Sequence, residues 1–187
     1  MNSKEEQYKS LLAQLASLIE GEREEVSVLS NASALLREVM GDRYFWVGFY
    51  LVRDGKLVLG PFQGTVACYR IALGRGVCGT AWQQRTTLVV PDVEQFAGHI
   101  ACSSLSRSEI VVPLADGDGV VRAVLDIDSR DLAAFDEVDE RYLNQAAASM
   151  ARCHLRFTGS PGQAARAATA RHDRTRTSFF IGFVRGW

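Results

Sequence analysis

The sequence lacks the features that define several classes of protein. It contains no run of about 18 apolar residues, which a membrane-spanning helix requires. Its net charge is only −1, so no overall positive charge favours binding to nucleic acid. The first ten residues are polar and do not form a secretory signal. We therefore expect a cytoplasmic protein that acts without nucleic acid or a membrane.

Cysteine is scarce, with four residues in a chain of 187. Folding a chain of this length buries about two-thirds of the surface that the unfolded chain exposes, so stability requires no disulfide or metal. Thiols stay reduced in the cytosol, and we expect these four to be reactive, metal-binding or buried. The glycine-rich stretch 74–79 lacks the Gly-Lys-Ser/Thr ending of a phosphate-binding loop. No nucleoside triphosphate and no other cofactor is expected.

Charge divides the chain into a domain and a tail. Residues 1–157 carry 16 Lys and Arg against 21 Asp and Glu, whereas residues 158–187 carry five Arg and one Asp. The stretch 158–162, Thr-Gly-Ser-Pro-Gly, is typical of a break between structured segments. We expect one domain over residues 1–157, followed by a basic tail over 158–187 that is flexible or weakly helical and dispensable for activity.

The spacing of apolar residues predicts an α+β domain. Apolar residues recur at helical spacing in 5–19 and 24–40, and strand-like runs bounded by turn residues follow. The predicted strands are 44–52, 56–60, 68–73, 87–90, 109–115 and 120–128, with a short helix ending near Gln84 and a last helix capped by Asp136. Hairpin turns dominate the connections, which indicates an antiparallel sheet covered by helices from both ends of the chain.

Three cysteines occupy positions where a thiol could react. Cys68, Cys78 and Cys102 lie in loops or beside glycine-rich turns, whereas Cys153 lies on the apolar stripe of the last helix and is expected to be buried. Any one of the three could simply be buried, but together they suggest accessible thiols near backbone N–H groups. Their spacing does not match a zinc ribbon, although His99 beside Cys102 leaves a Cys₃His zinc site open.

Acidic residues interrupt two apolar strands. Asp126 and Asp128 are two residues apart and face the same side of a strand, and a neighbouring strand could bring Glu109 beside them. Carboxylates this close raise the pKa of at least one member, which supplies a general acid and negative charge for an ammonium group. The alternative is that these acids end strands at the surface. Trp46, among aromatic neighbours, is expected in the core.

Six stretches of the sequence resemble a known family. They are 46–50, 59–64, 74–81, 98–102, 108–111 and 125–129. Together they are similar to the free methionine-(R)-sulfoxide reductases, a catalytic branch of the GAF-domain family, over residues 5 to 157. The resemblance implies a single GAF domain with a six-stranded antiparallel sheet flanked by N- and C-terminal helices, usually as a homodimer. It also implies reduction of free L-methionine (R)-S-oxide, with thioredoxin as the reductant.

The resemblance assigns roles to the three cysteines. Cys102 would be the nucleophile, Cys68 the resolving partner and Cys78 a second recycling thiol. Ser103 and Ser104 stand where a smaller or more acidic pair is expected, and this departure removes no catalytic position.

The resemblance also assigns roles to the acids and to the tryptophan. Glu109, Asp126 and Asp128 would bind the substrate and assist protonation, and Trp46 would pack against the methyl-thio end of the substrate. Two other functions remain open at this point: a non-catalytic GAF sensor of redox state or of a small ligand, and an interaction domain stabilised by zinc.

Overall fold

The computed structural model describes residues 3–100 and 102–152. The predicted continuation of the last helix to Cys153 and Phe157 and the predicted basic tail from residue 158 lie outside the described residues. No helix within the described ranges is long and apolar enough to cross a membrane.

The described residues form four α-helices and six strands in the predicted order. The helices are α1 (Lys4–Ile19), α2 (Glu25–Met40), α3 (Gly76–Gln84) and α4 (Glu137–Arg152). The strands are β1 (Trp46–Arg53), β2 (Lys56–Gln63), β3 (Arg70–Ala72), β4 (Leu88–Val90), β5 (Ser108–Ala115) and β6 (Val121–Ser129). Single turns of 3₁₀ helix at Gly41–Arg43 and Val93–Gln95 precede β1 and follow β4.

The six described strands form one sheet in the order β3-β2-β1-β6-β5-β4, and each neighbouring pair is antiparallel. This confirms the predicted α+β class and the six-stranded antiparallel sheet. α2 lies against β1 and β2, α4 lies against β5, and α1 contacts both helices. α3 packs with the side chains of Trp46 and Tyr50, so the two faces of β1 are covered by different helices.

Capping side chains determine where two helices begin. Ser3 accepts a hydrogen bond from the backbone N–H of Glu6, whose carboxylate accepts from the N–H of Ser3. This reciprocal pair is a capping box. Asp136 accepts from the N–H groups of Val138 and Asp139 at 2.9 and 3.2 Å, which confirms its predicted role as the cap of the last helix.

The predicted limits of the strands differ from the observed ones by one residue in β4, β5 and β6 and by two or three residues in β1, β2 and β3. β1 begins at Trp46 rather than residue 44, because the 3₁₀ turn before it occupies the chain up to Arg43. β2 continues to Gln63, beyond the predicted end at residue 60. A register shift against β1 leaves Gly60 and Pro61 outside the paired positions, and such a bulge accommodates a residue without an N–H. β3 begins at Arg70 rather than at residue 68.

Asp139, in the first turn of α4, is the centre of a buried ion cluster. Its side chain is fully buried and accepts hydrogen bonds from the Tyr8 hydroxyl at 2.6 Å, from Lys4 and from Arg43. Lys4 and Tyr8 belong to α1, and Arg43 precedes β1. One carboxylate therefore connects α1, α4 and the entry to the sheet, and its burial is tolerated because cations and donors surround it.

We predict that Asp139→Asn lowers the free energy of unfolding by about 3 kcal/mol, because it leaves the partly buried Arg43 without its counter-charge and leaves Lys4 with Asp136 alone. Urea unfolding followed by circular dichroism measures the change. Asp42→Asn is the matched control, since Asp42 pairs with Arg37 while its own side chain is fully exposed. Equal unfolding midpoints for Asp139→Asn and the control would contradict the prediction.

Candidate functional site

A cavity lies between the sheet, the start of α3 and the loop that joins β4 to β5. Of the seven site residues predicted from the sequence, six line it: Trp46, Cys78, Cys102, Glu109, Asp126 and Asp128. The seventh, Cys68, does not line the cavity and is bonded to a residue that does. Residues up to 82 positions apart in sequence therefore meet in one place, which is what a single site requires.

The pairing of β1, β6 and β5 brings the acids together. Asp128 lies opposite Trp46 on one side and Glu109 on the other, and Asp126 lies opposite Gly48. Residues directly opposite each other in an antiparallel pair point to the same face of the sheet. The predicted convergence of the three acids is confirmed, and Phe62 and Trp46 fill the space that a side chain at Gly48 would take.

The acids of this cluster do not end strands at the surface, so that alternative is wrong. Glu109 is 6% exposed and Asp126 is 7% exposed, while Asp128 is partly buried. The Ser106 hydroxyl donates a hydrogen bond to Asp128 Oδ1. Asp126 Oδ1 is buried and has no hydrogen-bond partner among the described residues. A buried carboxylate oxygen without a donor is costly, so this atom is available to a ligand.

Burial shifts the acids towards their protonated forms. It raises the pKa of Asp126 to about 6, although hydrogen bonds with Cys78 and Glu109 act in the opposite direction. Burial and the charges of Asp126 and Asp128 raise the pKa of Glu109 well above its usual range. Burial and the charge of Asp126 also raise the pKa of Asp128. Three carboxyl groups that are shielded from water and close together do not all ionise, so the cluster holds a proton near neutral pH.

Cys78 lies in the first turn of α3 and carries a buried free thiol. Its Sγ donates to Glu109 Oε1 across 3.9 Å. Burial and the charges of Asp126 and Glu109 raise the pKa of the Cys78 thiol, so this thiol stays neutral. The ligand atoms of Cys78, Glu109 and Asp126 lie within 4.8 Å of one another, which is close enough to hold a divalent cation.

Trp46 is both a core residue and a wall of the cavity. Its ring is 3% exposed and stacks on Phe62 and Tyr50, with ring centroids 5.4 and 6.1 Å away. Its Nε1 donates a 2.9 Å hydrogen bond to the carbonyl of Thr65. Trp46 is therefore buried in the core, as expected from its aromatic neighbours, and also lines the cavity, as the resemblance implied.

A disulfide joins Cys68 to Cys102 with their Cα atoms 5.6 Å apart. This pairs the two residues to which the resemblance gave the roles of resolving thiol and nucleophile. A Cys₃His zinc site would need both thiols as ligands, and in this structure they are bonded to each other. Both cysteines are partly exposed, so the disulfide is accessible to a reductant.

Three residues that line the cavity beside the acids were not predicted from the sequence as site residues. Tyr50 is four residues after Trp46 on the same face of β1, and this even spacing could have identified it. His99 was considered only as a zinc ligand. Its pKa is lowered by burial, and its ring lines the cavity. Ser106 lies in a loop without periodicity, so no sequence pattern points to its bond with Asp128.

Comparisons with known proteins identify relatives across most of the chain. A family model described as a GAF domain matches residues 22–153. The chain is 58% identical to GAF domain-containing protein A of Dictyostelium discoideum over 144 residues, covering 76% of this chain and 89% of that protein. It is 46% identical to the free methionine-R-sulfoxide reductase of Escherichia coli over 148 residues, covering 79% and 88%.

A solved structure of similar sequence has the same fold. It is the free methionine-R-sulfoxide reductase from Neisseria meningitidis in complex with its substrate, 48% identical to this chain with a TM-score of 0.79. The match covers 83% of this chain and 94% of that chain. The matches thus cover 88% to 94% of these relatives' chains.

We predict that Gly48→Ala disrupts the wall of the cavity. An added Cβ would lie 2.3 Å from the Cβ of Phe62 and 2.7 Å from the ring of Trp46, so β1 and β2 must separate or the indole must move. We expect a loss of about 1–3 kcal/mol in unfolding free energy, the usual cost of overpacking, and a changed near-ultraviolet circular dichroism spectrum. Gly117→Ala is the control, because nothing lies within 4 Å of its Cβ. A variant of Gly48 as stable as the control would contradict this.

Proposed function

The chain belongs to the GAF domain family, close to the free methionine-R-sulfoxide reductases, and we propose that it reduces free L-methionine (R)-S-oxide to L-methionine. The observation that carries the proposal is a cavity shared by a disulfide-forming cysteine and a buried cluster of carboxyl groups. Reduction of a sulfoxide needs a nucleophile for sulfur and a proton for oxygen. The two parts of the cavity can provide these.

Cys102 is the proposed nucleophile. In the reduced protein its thiolate attacks the sulfoxide sulfur, and the oxygen passes to Cys102 with one proton as methionine leaves. Cys102 is then a sulfenic acid. The Cys68 thiol attacks this sulfur, a disulfide forms and the oxygen leaves as water. The bond between Cys68 and Cys102 supports the pairing of these two residues because it is the product of that second step, and the place of Cys102 in the lining of the cavity favours it as the residue that attacks first.

Glu109 is the proposed source of the proton. Burial and two neighbouring acids keep its carboxyl group protonated near neutral pH, and it lines the same cavity as Cys102. A protonated acid of this kind can donate to the sulfoxide oxygen as the bond between sulfur and oxygen breaks. Asp126, with a pKa of about 6, provides negative charge that helps to hold this proton, and Asp128, which accepts a hydrogen bond from Ser106, lies directly opposite Glu109.

Asp126 is the proposed partner of the substrate's α-ammonium group. Its buried Oδ1 has no donor among the described residues, and an ammonium group would supply one. A methionine within a peptide chain has no α-ammonium group, which gives a reason for selecting the free amino acid. Trp46 would contact the methyl-thio end, with Tyr50 on the same wall.

Cys78 is proposed as a secondary recycling thiol. It lines the same cavity as Cys102, but its burial and raised pKa disfavour the thiolate. We therefore propose that Cys68 resolves the sulfenic acid first and that Cys78 acts mainly when Cys68 is absent.

Thioredoxin is the proposed physiological reductant, and a homodimer in the cytoplasm is the proposed state. The catalytic cycle leaves a disulfide, which needs an external dithiol for its reduction. A thiol-reducing compartment would supply that dithiol. The proposal of a dimer follows from the family resemblance.

We predict that Cys102→Ser abolishes turnover, because a serine hydroxyl cannot replace the thiolate at sulfur. Cys68→Ser should still release about one methionine per site in a single turnover but cycle slowly with thioredoxin. Chromatographic detection of methionine from free (R)- and (S)-sulfoxide measures both effects. Substantial turnover of Cys102→Ser with dithiothreitol would exclude it as the nucleophile. A wild-type protein that binds the (R)-sulfoxide without converting it would instead be a sensor.

We predict that Glu109→Gln and Asp126→Asn each lower kcat/KM by roughly tenfold to ten-thousandfold, the range for general-acid and charge-pair roles. Loss of the proton donor should reduce kcat at saturating substrate. Loss of the ammonium partner should mainly raise KM and weaken discrimination against N-acetylmethionine sulfoxide. Asp118→Asn, in the exposed β5–β6 turn, is the control. Unchanged kinetics in both folded variants would refute the substrate-binding role of the acids.

A further inference from the structure

The segment around Cys68 presents an exposed apolar and basic surface beside the disulfide. Val66 is 87% exposed and Tyr69 is 78% exposed, although both are large apolar residues. Arg70 is also exposed, at the start of the edge strand β3. We call these three residues the Cys68 rim. Exposed aromatic and basic side chains are enriched where proteins bind one another.

The stretch of sequence that contains the Cys68 rim carries charge of one sign. Residues 55–91 contain no Asp or Glu and four Lys or Arg, although the whole chain has nearly equal numbers of acids and bases. Arg70 and Arg75 are the exposed bases nearest to Cys68 in the sequence. The acids of the site are buried in the cavity and do not neutralise this surface from outside. A partner that binds here is therefore expected to present acidic groups.

The two sulfur atoms of the disulfide differ in their surroundings. Cys102 lines the cavity, whereas Cys68 does not and is flanked by two exposed residues: Val66, which lines the cavity, and Tyr69, which does not. A thiolate attacks one sulfur of a disulfide and the other sulfur leaves. A protein too large to enter the cavity therefore reaches Cys68 from outside more readily than it reaches Cys102.

We propose that the Cys68 rim is the docking surface for a protein dithiol with an acidic, partly apolar contact face, and that this reductant attacks Cys68. The proposal rests on the proposed function only in taking the disulfide as an intermediate of the cycle.

The chemistry of this attack is balanced. The first thiolate of the reductant bonds to Cys68 Sγ, the bond between Cys68 and Cys102 breaks, and Cys102 leaves as a thiolate. The second thiol of the reductant then attacks the first sulfur of the reductant, which is bonded to Cys68, and Cys68 is released. Each released cysteine takes up one proton where it becomes a thiol. The reductant is oxidised to a disulfide by two electrons. Attack at Cys68 thus frees Cys102, the proposed nucleophile, in the first step.

A trapping experiment tests the position of attack. Oxidised protein is mixed with a thioredoxin whose second active-site cysteine is serine, so the mixed disulfide cannot resolve, and the linkage is mapped by peptide mass spectrometry. We expect the thioredoxin on Cys68. A linkage mainly to Cys102 would overturn the proposed direction of attack.

A kinetic experiment tests the docking surface. Reduction of the Cys68–Cys102 disulfide is followed by stopped flow without any sulfoxide, so the result does not depend on turnover. We expect Tyr69→Ser and Arg70→Glu each to slow reduction by thioredoxin about tenfold, the loss typical of one important contact. Reduction by dithiothreitol should stay within twofold of wild type. Added salt should slow the wild type more than Arg70→Glu.

Val26→Ser and Arg23→Glu are the matched controls, because both residues are exposed near the start of α2. Rates with thioredoxin that match these controls would overturn the docking proposal. A change of mass in solution for Tyr69→Ser, with an unchanged rate, would identify the rim as a contact between copies of this chain and would also overturn it. Normal disulfide reduction without methionine formation would refute the proposed function and leave the docking surface supported.

Discussion

The burial of three carboxyl groups against one face of the sheet is the constraint on which the site depends. Glu109, Asp126 and Asp128 lie on strands whose other residues are mostly apolar and buried. In water each acid would be ionised at neutral pH, whereas here burial and mutual repulsion favour protonation. Burying these acids destabilises the folded protein, and a bound ammonium group would reduce this destabilisation by pairing with the negative charge. A site that is unfavourable when empty favours a cationic ligand.

The remainder of the fold provides a rigid frame for these acids. A second buried carboxylate, Asp139, shows the contrast, because Lys4 and Arg43 compensate its charge completely inside the protein. Asp126 has no comparable cation among the described residues. Two buried acids in one domain therefore have opposite roles. One connects helices to the sheet, and the other leaves an oxygen free for a ligand.

The disulfide is located where the chain is least regular. Cys68 precedes the short strand β3, and Cys102 lies in the loop between β4 and β5. Residues outside regular elements can change their separation at small cost, which a pair that alternates between thiol and disulfide requires. Cys78, by contrast, lies in a helix and is buried, so its thiol is held against the acids. The three cysteines thus have different surroundings, with two in irregular backbone joined by a disulfide and the third buried in a helix.

Much of this protein follows from local sequence patterns. The apolar run in 120–128, the turn at 116–119 and the cap at Asp136 determine their elements through residue type and backbone preference. Asp126 and Asp128 point to the same face of the sheet because side chains in a strand alternate with a period of two residues. The limits of β2 were less predictable, because the bulge at Gly60 and Pro61 depends on its partner strand.

Only the tertiary structure decided what these residues do together. Local sequence could not distinguish buried acids from acids at the surface, since burial depends on what α3 and the β4–β5 loop cover. Nor could it by itself pair Cys68 with Cys102, 34 residues apart, or place Ser106 against Asp128. Periodicity acts over a few residues and determines which side of an element a residue faces. Contacts between distant segments determine solvation, and solvation determines the pKa values and reactivity of this site.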